Sequence, residues 1–329
     1  MKTAIITGFR GQDGSYLGDQ LLDKGYKVYG MIRRSSQGMD LGCSAHLEGR
    51  DNLEVVEGDL TDQSCLSHLC KTTSPDLFFN MAAQSHVGTS FDQPEFTQDV
   101  NGIGVLRCLE AIRLSGIHTR FLQASTSELF GGVTSNKCDE SSPFYPKSPY
   151  GVSKLAGYWN TVNYRESYKM FAVNSICFNH ESPRRGSNFV TRKITMAVAK
   201  IRRGMQKKLY LGNLAAMRDW GHAEDFVRGM IMMMEDAPQP KDYVLATGET
   251  HSVEECCDVA FSRVGLVWKN YVEVDPRFFR PTEVDVLIGN YSAIQEDLGW
   301  EPRTTFKDLI EEMVVNDLAL LEAEHGPIS

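Results

Sequence analysis

Apolar residues in the first half of the chain come in short runs, separated by stretches whose apolar positions repeat at helical spacing. Ala4-Ile5-Ile6, inside Thr3–Thr7, is too short for a helix and does not alternate with polar residues, as in a strand buried on both faces. Leu17, Leu21 and Leu22 share one face of a helix predicted over Ser15–Lys24, which Gly25 stops. Further strands are predicted at Tyr26–Ile32, Leu53–Glu57, Asp76–Asn80, Arg120–Ala124 and Ala172–Phe178, with helices at Asp62–Lys71 and Val100–Ser115. Strands alternating with helices predict an α/β fold, a doubly wound parallel sheet covered on both faces.

Beyond residue 178 the pattern loosens. A basic helix is predicted near Thr191–Arg203, a short strand at Leu209–Leu211, a helix from about Ala223 and a strand at Tyr243–Ala246. Met230–Met234 in the earlier of these helices is read as core packing. Phe306, Leu309, Ile310, Met313, Val314, Leu318 and Leu321 mark a last amphipathic helix. With no internal repeat and no low-complexity linker, the second half is expected to be a smaller C-terminal lobe interleaved with the first. The boundaries expected are 1–178 for the sheet domain, with a return near 213–247, and 179–329 for the smaller lobe.

Composition narrows the function classes. The chain has 329 residues, of which 42% are hydrophobic and 23% charged, an ordinary globular balance. Its net charge of −9 argues against a general nucleic-acid binder and against an anionic-membrane binder. Locally the sign reverses, because Arg184, Arg185, Lys193, Arg202, Arg203, Arg218, Arg277 and Arg280 can build one positive cleft for an anionic ligand. The eight cysteines show neither Cys-x-x-Cys pairs nor zinc spacing, so buried thiols in a reducing cytoplasm and no metal site are expected. No apolar run approaches the roughly 18 residues of a membrane span.

Between the first strand and the first helix stands Gly8-Phe9-Arg10-Gly11-Gln12-Asp13-Gly14. This spacing allows a tight turn and lets a pyrophosphate approach the helix N-terminus, where free N–H groups favour anions. In a strand–turn–helix context it predicts a Rossmann-type dinucleotide site. The second strand then ends in Arg33-Arg34-Ser35-Ser36, where an NAD enzyme usually carries an acid. Guanidinium forks suit a 2′-phosphate, so NADP is the expected cofactor. Asp59-Leu60 is placed to flank the adenine, and Ala82-Ala83-Gln84-Ser85 is small enough to approach the nicotinamide side.

Tyr150 and Lys154 share one face of a helix that begins after Pro149, downstream of Ser125-Thr126 at a strand end. A phenol acting as a base near pH 7 needs a shift of about three units, roughly 4 kcal/mol. The Lys154 ammonium and a cationic nicotinamide have the sign to supply it. Glu128 extends the chemistry. A simple alcohol dehydrogenase needs no carboxylate there, whereas a dehydratase does, because oxidation of a sugar hydroxyl acidifies the neighbouring C–H and a base must remove that proton.

Together these residues resemble the extended short-chain dehydrogenase/reductases, and within them the GDP-mannose 4,6-dehydratase family. The likeness spans Ile6-Thr7-Gly8 to Tyr16, Arg33 to Ser36, Ala82 to Val87, Ser125 to Gly131, Tyr150 to Lys154, Asn179 to Gly186, Val190 to Lys193, Arg218 to His222 and Arg280 to Asp285. It implies that Thr126 hydrogen-bonds the sugar O4, Tyr150 removes its proton, Lys154 holds the cofactor ribose and Glu128 works at C5 and C6. It also implies His180, Arg185 and Phe96 at the cofactor, Asn179, Lys193, Arg218 and Arg280 on the substrate diphosphate, Glu283 on its ribose, and Ser85 and Val190 beside the sugar nucleotide. Arg10 and Phe96 depart from the family pattern, which has a small residue and often Tyr at these places. The implied reaction converts GDP-mannose to GDP-4-dehydro-6-deoxy-D-mannose and water on a tightly held, recycled NADP, the first step towards GDP-deoxyhexoses such as GDP-L-fucose or GDP-D-rhamnose. The implied assembly is a homodimer or homotetramer.

Two other readings share part of this pattern. A sugar-nucleotide epimerase or 4-ketoreductase would keep the Tyr/Lys pair but would not need Glu128. A non-catalytic NADPH-binding module would not need the Tyr/Lys pair.

Overall fold

The computed structural model describes residues 1–36, 38–131, 137–279, 282, 284 and 286–327. Its central sheet is built from β1 (Thr3–Thr7), β2 (Lys27–Ile32), β3 (Leu53–Glu57), β4 (Leu77–Asn80), β5 (Arg120–Ala124), β6 (Ala172–Cys177) and β11 (Tyr243–Leu245), in the order β11-β6-β5-β4-β1-β2-β3. Every neighbouring pair is parallel. Alternate residues explain the apolar runs: Ile5, Phe78 and Phe121 pack on one face, and Ala4, Ile6, Phe79 and Leu122 on the other. Helices α1 (Gln12–Asp23) and α8 (Ala223–Glu235) cover the second of these faces, and α2 (Gln63–Thr73) and α5 (Gly104–Ser115) the first. Met230, Met233 and Met234 of α8 are core residues, as the sequence predicts.

A second core, built around Ile194, Val198, Phe261, Ile310 and Met313, joins α7 (Val190–Arg202), α9 (Val253–Ser262) and α11 (Phe306–His325) to β8 (Leu209–Leu211). Short pairings outside the central sheet complete this part. They are β7 (Asn179–Glu181) with β10 (Trp220–His222), β8 with β13 (Val272–Val274), and β9 (Met217–Arg218) between β12 (His251–Ser252) and β14 (Val286–Leu287). The remaining helices are α3 (Val87–Asp92), α4 (Pro94–Gln98), α6 (Pro149–Tyr168) and α10 (Ser292–Leu298).

Three differences from expectation bear on the site. Helix α1 starts at Gln12, not Ser15, because Gly11 takes an extended conformation and turns the chain straight into the helix. The predicted helix over Val100–Ser115 opens as a π-turn, Asp99–Ile103, before α5. That turn aims Asn101 at the loop after β4: its amide accepts from Gln84 N at 2.9 Å and donates to Gln84 O at 2.9 Å and to Ser153 Oγ at 3.2 Å. Helix α9 was not anticipated, although Ser252 and Glu255 form a capping box that announces it.

Helix α6 carries the predicted phenol and ammonium. Ser148 caps it by accepting from Gly151 N at 3.0 Å, and Pro149 fills its first position. Its far end is fixed by Arg165, whose guanidinium makes a bidentate pair with Asp242 at 2.7 and 2.9 Å, while Asp242 also accepts from Asn174 N at 2.7 Å. Removing one partner of a buried pair strands the other charge. Asp242→Ala is therefore expected to destabilise the fold by about 3 kcal/mol in urea or thermal denaturation. A change below about 0.5 kcal/mol, the size of a typical surface substitution, would show that the pair is not an anchor.

Candidate active site

The strand order reverses between β1 and β4, and a crevice opens there at the carboxyl ends of the strands. A cavity of about 660 Å³ occupies it, reaching from the head of α1 to β9 and α7.

Glycines shape the cofactor end. Gly8 has φ +67°, and a Cβ on it would fall 2.8 Å from Ala82 N. A Cβ on Gly14 would lie 2.6 Å from Gly8 O. The backbone here leaves room for a ligand and none for a side chain. Gly11 heads α1 without a side-chain cap, so the first-turn N–H groups are available to an anion. The loop fits the diphosphate of a dinucleotide.

The side chains of this loop are used differently from expectation. The Phe9 ring is fully buried over Gly18 and Gly30, and its N–H donates to Met31 O at 3.2 Å. Arg10 turns outward to pair with Asp40. Gln12 donates to His180 O at 3.1 Å and accepts from Ser182 Oγ at 2.8 Å. Asp13 Oδ2 lies 3.0 Å from His180 Nε2. Burial alone would raise the Asp13 carboxyl, but the charge and hydrogen bond of His180 hold it down at about 2.

Arg33, Arg34 and Ser35 are exposed past the end of β2, with Arg34 3.6 Å from Glu57. Asp59 accepts from the Thr61 N–H and hydroxyl at 2.9 and 2.8 Å, and Leu60 is buried beneath it. Ala82 N donates to Thr7 Oγ1 at 3.0 Å. None of these residues lines the cavity, and neither does Phe96, which is exposed on α4. Ala83 and Ser85 do line it.

The four expected catalytic side chains meet on one wall. Thr126 Oγ1 accepts from Glu128 N at 3.2 Å, capping a single 3₁₀ turn, Ser127–Leu129, that sets Glu128 against the cavity. Lys154 Nζ donates to Ala124 O at 2.8 Å and sits 5.9 Å from the Tyr150 ring centroid. Burial pulls the Lys154 ammonium down to about 8. Tyr150 departs from expectation. Desolvation raises its phenol well above the usual range, the Glu128 charge adds to this, and a hydrogen bond with Thr126 and the Arg185 charge only partly oppose it. Lys154, turned to the Ala124 carbonyl, does not make Tyr150 a base by itself. Ser125 Oγ, buried on the same wall, has no hydrogen-bond partner among the described residues.

Across the cavity stand Asn179 and His180 on β7, Val190 and Lys193 in the first turn of α7, and Arg218 on β9. Lys193 Nζ donates to Tyr210 O at 2.7 Å and lies 3.7 Å from the Phe278 ring centre. Arg218 is buried and donates to Met217 O at 2.9 Å. Arg185 pairs with Glu181 at 3.0 Å and stacks 3.6 Å over Phe189. Arg280 and Glu283 lie outside the described residues. Phe189, Phe278 and Phe279 also line the cavity. They were missed because an aromatic in an irregular loop carries no periodic signal, although Phe278-Phe279 between Arg277 and Arg280 was a hint.

The family model described as GDP-mannose 4,6 dehydratase matches residues 5–313. The chain belongs to the GDP-mannose 4,6-dehydratase family. It is 48% identical to the GDP-mannose 4,6 dehydratase of Cricetulus griseus over 97% of this chain and 92% of that one. It is 47% identical to that of Yersinia enterocolitica over 100% and 99%. Among solved structures, the dTDP-glucose 4,6-dehydratase DesIV of Streptomyces venezuelae, with NAD and TYD bound, superposes with a TM-score of 0.86 at 22% identity, covering 99% of this chain and 100% of that one. The UDP-glucose 4-epimerase of Thermotoga maritima gives 0.85 at 23% identity, covering 97% and 100%. At such identities these two speak for the fold.

In this dehydratase-family site, Lys154 is a buried cation whose desolvation opposes folding. The Ala124 carbonyl would keep a second donor, Gln123 Nε2 at 2.7 Å, if the ammonium were removed. Lys154→Met is therefore expected to stabilise the ligand-free protein at pH 7 by roughly 1–3 kcal/mol. The unaltered protein should gain stability as pH rises above about 8, because the unfolded chain then binds the extra proton. A lower melting temperature for Lys154→Met would contradict this.

Proposed function

We propose that the chain dehydrates GDP-mannose to GDP-4-dehydro-6-deoxy-D-mannose, as a hydro-lyase that oxidises C4, eliminates water across C5–C6 and reduces C6. The observation that carries this reading is the placement of Glu128 on the same cavity wall as Thr126, Tyr150 and Lys154. An oxidoreductase of this plan needs the last three, and elimination needs the carboxylate as well.

The residues divide the work. Thr126 donates to the sugar O4 and orients it towards Tyr150, which takes the O4 proton. Lys154 would hold the cofactor ribose, and its positive charge favours the phenolate form of Tyr150 that accepts this proton. Glu128 takes the C5 proton, which the C4 ketone has made acidic, and returns it to the departing C6 hydroxyl as water; the proton that Tyr150 took from O4 balances the one C5 regains when hydride adds at C6. Asn179, Lys193, Arg218 and Arg280 are assigned to the diphosphate, Glu283 to the ribose, and Ser85 and Val190 to the sugar nucleotide. A bound nicotinamide dinucleotide, with Lys154 on its ribose, would supply the hydride acceptor for C4 and the hydride donor for C6, so no second redox substrate would be needed.

The same reading assigns NADP. Arg33 and Arg34, at the exit of β2 in a stretch of chain that carries no acid, support a 2′-phosphate over a free ribose hydroxyl, with Glu57 of β3 3.6 Å from Arg34. Residues 1–178, with the return near 213–247, form the NADP-binding part, and 179–329 the nucleotide-sugar lobe. Leu114, Val152, Trp159 and Tyr168 are exposed on α5 and α6, which supports a homodimer or homotetramer. All eight cysteines are free, which supports a cytoplasmic setting. Among the described residues no helix is long and apolar enough to cross a membrane.

Incubation with GDP-mannose alone should give a product lighter by one water and bearing a carbonyl. Deuterium placed at C4 should appear in the C6 methyl group. Unchanged substrate, or a product of unchanged mass, would reject the dehydratase reading. Glu128→Gln should retain substrate binding and lose roughly 10²–10⁴ in turnover. Near-normal release of the keto product would remove Glu128 from the mechanism. Arg33→Ala with Arg34→Ala should weaken NADP far more than NAD in a binding titration, and equal losses would reverse the cofactor assignment.

A further inference from the structure

His180 makes two contacts that a neutral imidazole cannot satisfy together. Its Nδ1 lies 2.8 Å from Phe178 O and its Nε2 lies 3.0 Å from Asp13 Oδ2. A carbonyl only accepts, an ionised carboxylate only accepts, and a neutral ring has a single N–H. The ring is enclosed, stacked on Phe226 with 4.8 Å between centroids. Asp13 is in the first turn of α1, where the helix dipole favours the ionised carboxylate. That position is also where the dinucleotide diphosphate would lie, and a bare carboxylate there would repel it.

We propose that His180 is held as an imidazolium that neutralises Asp13 inside the glycine loop, so that the loop receives the dinucleotide diphosphate without an uncompensated negative charge. The pair also acts in positioning. With Gln12, which grips His180 O and Ser182 Oγ, it fixes the loop to β7, the strand that begins with Asn179. The inference rests on a nicotinamide dinucleotide lying at the head of α1, and extends that reading to the charge state required for binding.

Other charged and titratable groups face the pair from each neighbouring element. They are Arg185 beyond β7, Lys154 of α6, the Cys177 thiol of β6 and Cys43 in the segment after β2. Arg185 and Lys154 favour the ionised Asp13, and the neighbouring thiols are pushed up by burial and stay neutral. Burial alone would favour a neutral His180 ring, but the Asp13 carboxylate outweighs it and raises the ring above the ordinary histidine range. Dinucleotide affinity should therefore be high below that raised value and fall as pH climbs through it, because the proton is then lost and the carboxylate is left unpaired.

The first test is direct. In the ligand-free protein with ¹⁵N-labelled histidine, the His180 signals, assigned by their absence in His180→Asn, should show both ring nitrogens protonated near neutral pH. The second is a charge-balance cycle read by dinucleotide titration, using NADP and NAD, from about pH 6.5 to about 9.5. The unaltered protein should weaken by roughly tenfold or more over that range. Asp13→Asn should keep only the part of that pH dependence that Lys154 contributes near 8, and His180→Asn should be weak by roughly tenfold or more throughout. The double variant should recover most of that loss, which two independent structural defects would not do. A single proton on the His180 ring overturns the proposal. So does a double variant no better than His180→Asn. If the unaltered protein binds neither dinucleotide at any pH, the dinucleotide reading falls and takes this inference with it, whereas binding with the wrong pH response removes this inference alone.

Discussion

Loss of water around charged groups governs this cleft. Lys154, Tyr150, Asp13 and His180 are all enclosed at the carboxyl ends of a parallel sheet, and each pays for that enclosure in a different way. Lys154 keeps a carbonyl partner and becomes a more acidic ammonium, the Tyr150 phenol is pushed up, and Asp13 and His180 neutralise one another. The parallel sheet makes the enclosure possible. Its strands are apolar on both faces, so helices must cover both sides, and the uncovered strand ends become a deep opening near the switch in strand order.

The opposite wall of the cleft is held from far away in sequence. Arg192 on α7 pairs with the fully buried Asp317 on α11 at 2.7 Å, and also donates to the carbonyls of Pro183 and Arg185. Asp317 is anchored in turn by Thr195 Oγ1 at 2.7 Å. Asp219, next to Arg218, accepts from the backbone of Thr247, Gly248 and Gly289 at 2.8, 2.9 and 3.2 Å. Cations facing the cavity thus sit on backbone that is itself fixed by buried carboxylates. Positive potential is concentrated there while the chain as a whole carries −9.

Much of this was legible in the sequence because it follows from local rules. Short apolar runs without alternation gave strands buried on two faces, and Gly8, Gly11 and Gly14 marked backbone that a ligand must approach. Tyr150, Lys154 and Glu128 met on one wall because a capped helix and a single 3₁₀ turn place them there. What escaped depends on distant partners. Gln12 and Asp13 look like spacer residues between glycines, yet they bind a strand 167 residues away from Asp13. The two-residue strands β9, β12 and β14 are too short to carry a period, and they exist only because they find one another. Spacing shows that Lys154 is close to Tyr150 but not that its ammonium donates to the Ala124 carbonyl.

The π-turn at Asp99–Ile103 has a consequence for how the crevice is floored. By presenting the Asn101 amide edge-on to Gln84, it imitates the paired donor and acceptor of an adjoining strand. The loop beyond β4, which has the Gly8 backbone on one side, is thereby tied to the head of α5 on the other. The same carboxamide reaches Ser153 of α6, so one side chain binds three segments that are distant in sequence.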